Sequence, residues 1–577
     1  MEELDSGSLE PATQVDVLIV GAGLSGLTAA REIKTKSPHL KVMVVEAKDR
    51  VGGRTYTVDL KAANGKTDKW DMGGQWIGLT QKYALRLIEE FGLTTYVQHT
   101  KGKKVLQGGN LKIRVHDLLI PSWSEFKTFS ILEGFDVIWT LWKLESLVKT
   151  VNVEDLYDTP RAKEYDALST EDWIRQNAYT RMVRDVMECA TKSIYGIPSK
   201  RISFLYFLYY SKCAGNFEDL TECENNGAQG IKVKGGTNQI SQRLAECLAE
   251  GELVLNTAVR DIDMRDPQNV LVHTMPTHHF NGKKPAEVEL DISRIRCKRL
   301  LLAIPPNQCG CIKWLPGLPY LKEQLFASFP AGNLFKCIIT YEKAFWREKG
   351  LSGEVLSSGV TEMAGEVMPV ISGFDATTID GNPAMVLFLN NEWADRSLEQ
   401  RRSAVVRDLA RFLGDEALDY VDYRDKDWHL EPFNGGCPVA CIPPGNMEAF
   451  SHVREPIDLV HFAGTETATH WPGYLSGAIQ AGYRAAHEVL FHMDNSKVEH
   501  RHLKGSVYDT DAGLPTAPDN SYKADECSPW PRRIVLYSAV AVGIYLYSKK
   551  YELSHTGRLL RPIERSVIKW WSGSTWP

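Results

Sequence analysis

Three glycines at 21, 23 and 26, an acid at 46, a lysine at 336 and a cysteine at 437 are the residues whose types and settings could carry chemistry. Gly21-Ala22-Gly23-Leu24-Ser25-Gly26 has the spacing with which a backbone cradles a pyrophosphate. Gly21 allows the tight turn, Gly23 the close approach of backbone to phosphate, and Gly26 the packing of a helix on a strand. Glu46, about 20 residues beyond Gly26, is placed to accept hydrogen bonds from a ribose and disfavours the 2′-phosphate of NADP. A glycine pattern alone is weak, because glycine-rich turns are common. It points to a dinucleotide, NAD or FAD.

The elements that must position these residues sharpen the reading. Val15 to Val20 is apolar and rich in β-branched residues, as a buried parallel strand is. Leu27 to Ile33 reads as a helix, and Lys41 to Val45 as a second strand that ends on Glu46. Strand, turn, helix, strand and terminal acid stand in register, and the helix N-terminus offers amides and a positive dipole to phosphate. Residues 85–225 turn mostly helical and aromatic-rich, with Ser203 to Tyr210 a buried helix. Lys234 to Gln239 leads into a helix, Glu252 to Val259 reads as a strand, and Arg299 to Pro306 as a strand broken by prolines. Ala331 to Tyr341 is a strand with Lys336 inside an apolar alternation; for any single lysine, a snorkelling or surface position is the commoner explanation. His461 to Thr469 is a strand, a glycine turn and an acid, and Trp471 to Ala478 opens a helix that runs through Arg484-Ala485-Ala486.

Several segments together resemble the flavin-containing monoamine oxidases. Glu46 to Thr55, with Gly52-Gly53-Arg54, resembles the second glycine-rich segment of glutathione-reductase-type FAD proteins. Its glycines allow close approach, and Arg54 can neutralise phosphate charge. Asp71-Met72-Gly73-Gly74-Gln75-Trp76 resembles the family segment beside the flavin, so Gly74 and Gln75 join Gly53 and Arg54 as implied cofactor residues. The resemblance also implies that Val259 ends its strand near the adenine and that Glu466 bonds the ribityl or phosphate region. Lys336, followed by Glu342 to Arg347, matches the lysine that holds a water beside flavin N5. Trp428 matches a tryptophan near the flavin, although a plain core aromatic explains it nearly as well. Asn434-Gly435-Gly436-Cys437, with Pro443-Pro444-Gly445 beyond, resembles the segment whose cysteine joins the 8α-methyl of FAD through a thioether. Tyr474 matches one wall of an aromatic cage around the amine; the other wall, the residue after that cysteine, is Pro438 here, which leaves substrate identity open.

The fold implied is α/β, a glutathione-reductase-type FAD-binding domain (14–90, 229–310, 428–493) interleaved with an α+β substrate domain (91–228, 311–427). The function implied is oxidation of a primary or secondary amine to an imine and aldehyde, with O2 reduced to H2O2. A polyamine or L-amino-acid oxidase, or a catalytically silent FAD-stabilised membrane scaffold, are the alternatives. Residues 494–531 are polar and broken by prolines, as a linker is, and the His500/His502 pair reads as part of a solvated loop. Residues 532–577 read as a membrane anchor and tail, because Ile534 to Tyr547 is apolar between Arg532-Arg533 and Lys549-Lys550. That run is shorter than the roughly 17 residues of a minimal span, so a buried helix competes. The family carries such an anchor in the mitochondrial outer membrane, facing the cytosol.

Composition excludes other classes. The net charge of −6 and the lack of a dense basic stripe argue against nucleic acid as a partner. The 11 cysteines are odd in number and scattered, which favours reduced thiols. The pairs Cys309/Cys311 and Cys437/Cys441 lack metal-ligand spacing, so no zinc site is expected. No Ser/His/Asp triad, Walker loop or HExxH is present. The partners expected are therefore an amine, O2, a membrane and, as an option, a second copy of the chain.

Overall fold

The computed structural model describes residues 12–108, 113–116, 130–223, 227–277, 293–358 and 367–509. All of them belong to the compact unit Met1–Leu514. The expected membrane segment lies outside the described residues.

The strand Thr13–Val20 runs parallel to Val42–Val45 on one side and to Ser293–Leu302 on the other. Leu253–Val254 extends this parallel sheet beyond Val42–Val45, and Val460–Phe462 extends it beyond Leu300–Leu302. The apolar ends of these strands are fully buried, as a sheet covered on both faces requires. The first half of Ser293–Leu302 pairs instead with an antiparallel extension, Thr257–Asp263 and Val270–Pro276, making an eight-stranded sheet with Lys313–Leu315 at its edge. Helices Leu24–Lys36 and Leu475–Met493 pack together on one face. Gly482 permits their approach, since a Cβ there would overlap the Ser25 carbonyl oxygen.

A seven-stranded sheet holds Phe335–Tyr341 and Ala384–Leu389 at its centre, both buried along their whole length. Side chains alternate along a strand. Phe335, Cys337 and Ile339 therefore pack with Val405, Leu409 and Phe412 of the helix Leu398–Leu413. Ile338 turns the other way, toward Trp70 and Met72, and Lys336 shares that face. Phe204–Cys213 is a buried helix, apolar all round, and supplies Tyr206, Tyr209 and Tyr210 to the core.

Three expectations need correction. Val259 does not end a strand: Asn256, with φ of +53°, breaks the chain after Val254, and Val259 lies inside Thr257–Asp263. Lys313–Leu315 joins the parallel-sheet side, although it falls inside the segment expected to be substrate domain. The described part of the expected linker, up to residue 509, is folded against the last helix: Leu503 is buried, His502 stacks on His487 at 4.7 Å and Tyr508 on Phe491 at 5.4 Å. Local polarity hid these contacts because their partners sit on the helix Leu475–Met493.

Replacing Gly482 with alanine should push the two helices apart and destabilise the protein by about 1–3 kcal/mol. Urea unfolding measures it, and an unchanged midpoint would contradict the close packing at Ser25.

Candidate active site

The two glycine turns face one another. Gly21 takes φ of +100° at the end of the first strand, and Gly52 donates its N–H to the Ala22 carbonyl at 2.9 Å. Gly23 caps the helix Leu24–Lys36 with no side-chain partner, and a Cβ on Gly23 would meet nothing within 4 Å. Gly53, with φ of +57°, approaches Gly23 at 3.7 Å by the same measure. A Cβ on Gly26 would strike the Gly21 carbonyl oxygen, so the helix needs glycine there to seat on the turn. The result is an open, amide-lined cradle at an uncapped helix N-terminus, which fits an anionic phosphate. Glu46 is buried at the end of its strand and accepts from the Ala22 N–H at 2.7 Å and the Lys48 N–H at 3.0 Å.

Arg54 donates to both carboxylate oxygens of Glu466, at 2.6 and 3.1 Å, and to the Pro438 carbonyl at 2.8 Å. Burial opposes the Arg54 charge, but the adjoining Glu466 outweighs it and raises the guanidinium above its ordinary range. Glu466 also accepts from the Ala440 N–H at 3.3 Å. One buried pair thus joins the second glycine turn to the segment bearing Cys437.

Cys437 is paired to the chain leading into the strand of Lys336. Its N–H donates to the Gly332 carbonyl at 2.8 Å and its carbonyl accepts from Leu334 N–H at 3.2 Å. Burial pushes the thiol up to about 12, against the pull of Arg54 and Lys336. The bond from Cys437 to Pro438 is cis.

Lys336 is 3% exposed and donates to the Gly73 carbonyl and to Gln75 Oε1, both at 2.8 Å. Because an ammonium or amine donor must face the amide oxygen, Gln75 Nε2 points elsewhere, and it is buried without a protein partner. Burial brings Lys336 down to about 7, although Asp71 favours its charge. Asp71 is itself raised to about 6 by burial while accepting from Thr57 Oγ1 at 2.6 Å and Thr237 N–H at 3.0 Å. Thr237 Oγ1 donates to the Gly74 carbonyl at 2.5 Å, and Trp428 Nε1 to the Met72 carbonyl at 2.9 Å. The stretch from Asp71 to Gln75 is therefore held carbonyl by carbonyl, and Trp428, fully buried, is one of its struts.

Tyr474 stands at the N-cap of Leu475–Met493, and burial raises its hydroxyl above the ordinary phenol range. Its neighbouring rings are Trp471 at 4.9 Å, edge on, and Tyr210 at 6.3 Å. Gly473 makes room for the Tyr210 hydroxyl, which a Cβ would overlap. Val259 is partly buried beside the larger core, on a strand whose first residue, Thr257, donates its N–H to the Glu46 carbonyl at 2.8 Å. Sequence reasoning missed Asp71 as the charge facing Lys336, Thr237 as the partner of Asp71, and Tyr210 and Trp471 as neighbours of Tyr474. All four lie in segments it had noted, so proximity was the missing signal.

An open phosphate cradle, two apposed glycine turns and an unpartnered amide donor at Gln75 fit a dinucleotide cofactor on a Rossmann-type sheet, with a second sheet supplying a buried lysine. The profile for flavin containing amine oxidoreductase matches residues 24–490, and the chain belongs to that family. Horse flavin-containing amine oxidase A is 32% identical over 492 residues, covering 82% of this chain and 85% of the relative. Cyclohexylamine oxidase from Brevibacterium oxydans IH-35A superposes with a TM-score of 0.70 at 27% identity, over 83% of this chain and 99% of its own. Wild-type putrescine oxidase bound to putrescine gives 0.71 at 26%, over 83% and 100%.

The buried lysine makes stability depend on pH. Its folded value near 7 lies below the ordinary 10.5, so between them the unfolded chain binds the extra proton and stability rises with pH. Lys336→Met should flatten that rise, measured by urea unfolding of the apoprotein at several pH values across this window. An undiminished rise would count against a depressed Lys336.

Proposed function

We propose that this flavin-dependent amine oxidase takes a neutral primary amine, aliphatic amines included, beside an FAD that Cys437 holds covalently. The supporting observation is the burial of Cys437 between two held cations, with its neighbour Pro438 bonded to Arg54 of the second glycine turn at 2.8 Å. Gly21, Gly23, Gly26, Gly53 and Arg54 would hold the pyrophosphate, Glu46 the ribose, Val259 the adenine side, and Gly74, Gln75 and Glu466 the remainder. The flavin supplies the acceptor for the electrons of the amine's α-C–H bond and passes them to O2, giving H2O2 and an imine that hydrolyses to aldehyde.

The protein's own residues do the rest. Lys336, depressed to about 7, can hold or release a proton near neutrality beside Gly73 and Gln75. The first N–H groups of Leu475–Met493 have no carbonyl one turn earlier and can face negative charge developing on the cofactor. Tyr474, with Trp471 and Tyr210 behind it, forms an aromatic wall, while Pro438 leaves the opposite side without a ring. A single wall suits amines that lack an aromatic ring as well as those that have one. The same reading keeps the interleaved domains, supported by strands that alternate between the two sheets along the chain.

It also includes a C-terminal anchor in the mitochondrial outer membrane, supported by the basic-flanked run Ile534 to Tyr547. This reading includes a second copy of the chain as a partner, and molar mass in solution by light scattering tests it. Among the described residues no helix is long and apolar enough to cross a membrane. A chain truncated before Arg532 should leave the mitochondrial fraction and become extractable by alkaline carbonate. Retention of the truncated chain would remove the anchor from the reading.

Purified full-length protein should release peroxide with cyclohexylamine, benzylamine or putrescine, and silence across a panel of amines would defeat the assignment of substrate. Acid precipitation should leave flavin with the pellet, and Cys437→Ser should turn it loose into the supernatant. Flavin freed by acid from the unsubstituted protein would refute the thioether.

A further inference from the structure

Four charged groups at the edge of the site have no part in the reading above. Lys48 and Arg50 donate to Glu431 Oε1 at 2.9 and 2.6 Å, and Lys426 donates to Oε2 at 2.5 Å. Two of these cations come from the stretch between Glu46 and the second glycine turn, and the third from the strand Tyr420–Asp427. Arg50 also donates to the carbonyls of Gly53 at 3.1 Å and Thr55 at 3.2 Å, so it ties the glycine turn itself. Lys48 reaches past Glu431 to Asn434 Oδ1 at 2.8 Å. The Tyr56 ring lies between Arg50 at 4.5 Å and Lys426 at 5.3 Å, which fixes both cations laterally.

The segment that carries Glu431 is anchored at its two ends, by the buried Trp428 and by the Cys437 bonds to Gly332 and Leu334, while the stretch between them meets the cofactor turn through charge. Leu430 is 73% exposed and Phe433 39%, so apolar packing does not seat the turns before Cys437. Gly435 and Gly436 both take positive φ, 66° and 132°, and Cys437 follows directly. The charge cluster is thus the main tether between this segment and the cofactor turn on the side away from Arg54. Burial acts against the Glu431 carboxylate, yet Lys48 and Lys426 bring it down to about 2, so this carboxylate stays charged throughout the physiological range.

We propose that Glu431 is a positioning residue for covalent attachment of the flavin: by gathering Lys48, Arg50 and Lys426 it clamps the Gly-Gly-Cys segment onto the Gly52-Gly53-Arg54 turn and sets where the Cys437 thiol stands. This inference rests on the thioether reading of Cys437. In that reaction the S–H bond and one C–H bond of the 8α-methyl break and the S–C bond forms. The two electrons and two protons released reduce the flavin, and O2 reoxidises it with formation of H2O2. Glu431 takes no part in these bond changes; it acts through the position of Cys437.

The test follows the time course of attachment in full-length apoprotein supplied with FAD, with acid-stable flavin read against total bound flavin. Glu431→Asp keeps the charge but is one methylene shorter, so it should fold and bind FAD normally while attachment slows by about tenfold, the scale of a small misplacement. Glu431→Gln should slow it further, and if that variant does not fold the aspartate variant still decides. Attachment at the unsubstituted rate in a folded Glu431→Asp protein would overturn the proposal. So would a loss of FAD affinity that accounts for the whole slowing, because Glu431 would then only support the fold. Release of flavin by acid from the unsubstituted protein is the separate result that removes the thioether reading beneath it.

Discussion

Arg54 and Glu466 stand 412 positions apart and meet through two charge-assisted hydrogen bonds, with the Arg54 guanidinium reaching on to the Pro438 carbonyl. Glu466 is fully buried, and a carboxylate in that position without its partner costs several kcal/mol. The second glycine turn, the Cys437 segment and the entry to the last helix must therefore come together as one unit. Ser25 adds a further link, accepting from the Gly464 N–H at 2.9 Å, so the first glycine turn is drawn into the same assembly. Both glycine turns, the Cys437 segment and the entry to the last helix are thus linked through these polar contacts.

The second sheet adds a buried amine by simple alternation. Phe335, Cys337 and Ile339 are committed to the core beneath the helix Leu398–Leu413, which obliges Lys336 to face the Asp71–Gln75 stretch. Full burial then brings the amine to about 7, where its proton is exchangeable near neutrality. The same lysine fixes the orientation of the Gln75 amide, so its donor is free for a ligand. A strand register, a desolvated amine and an oriented amide are three consequences of one packing choice.

The rings around Tyr474 do not come from the residue after Cys437. Pro438 supplies no ring, and the aromatic neighbours of Tyr474 come from Trp471, three residues earlier, and from Tyr210 on the buried helix Phe204–Cys213. Because Tyr210 sits over Gly473, the position of the wall depends on a helix from the middle of the chain. Relatives with the same fold include putrescine and cyclohexylamine oxidases, and the family covers residues 24–490.

The amino-acid sequence by itself determined the features that short-range physics controls. Glycines at 21 and 26 dictate a turn that only glycine can make, the β-branched run before them dictates a buried strand, and the all-round apolar Phe204–Cys213 dictates a buried helix. Lys336, Cys437, Glu466 and Tyr474 stood out only because their segments resemble those of a known family, not through short-range physics. Their partners did not. Asp71 with Thr237, Glu431 with its three cations, and Leu503 beneath the last helix are joined by contacts between distant segments. The break at Asn256 that moved Val259 into a strand interior likewise follows from backbone ties to Lys48 and Glu46. Local pattern encodes which backbone shape each segment prefers. Which buried charges meet, and which amine loses its proton to burial, was decided only when the two sheets and the last helix closed around one another.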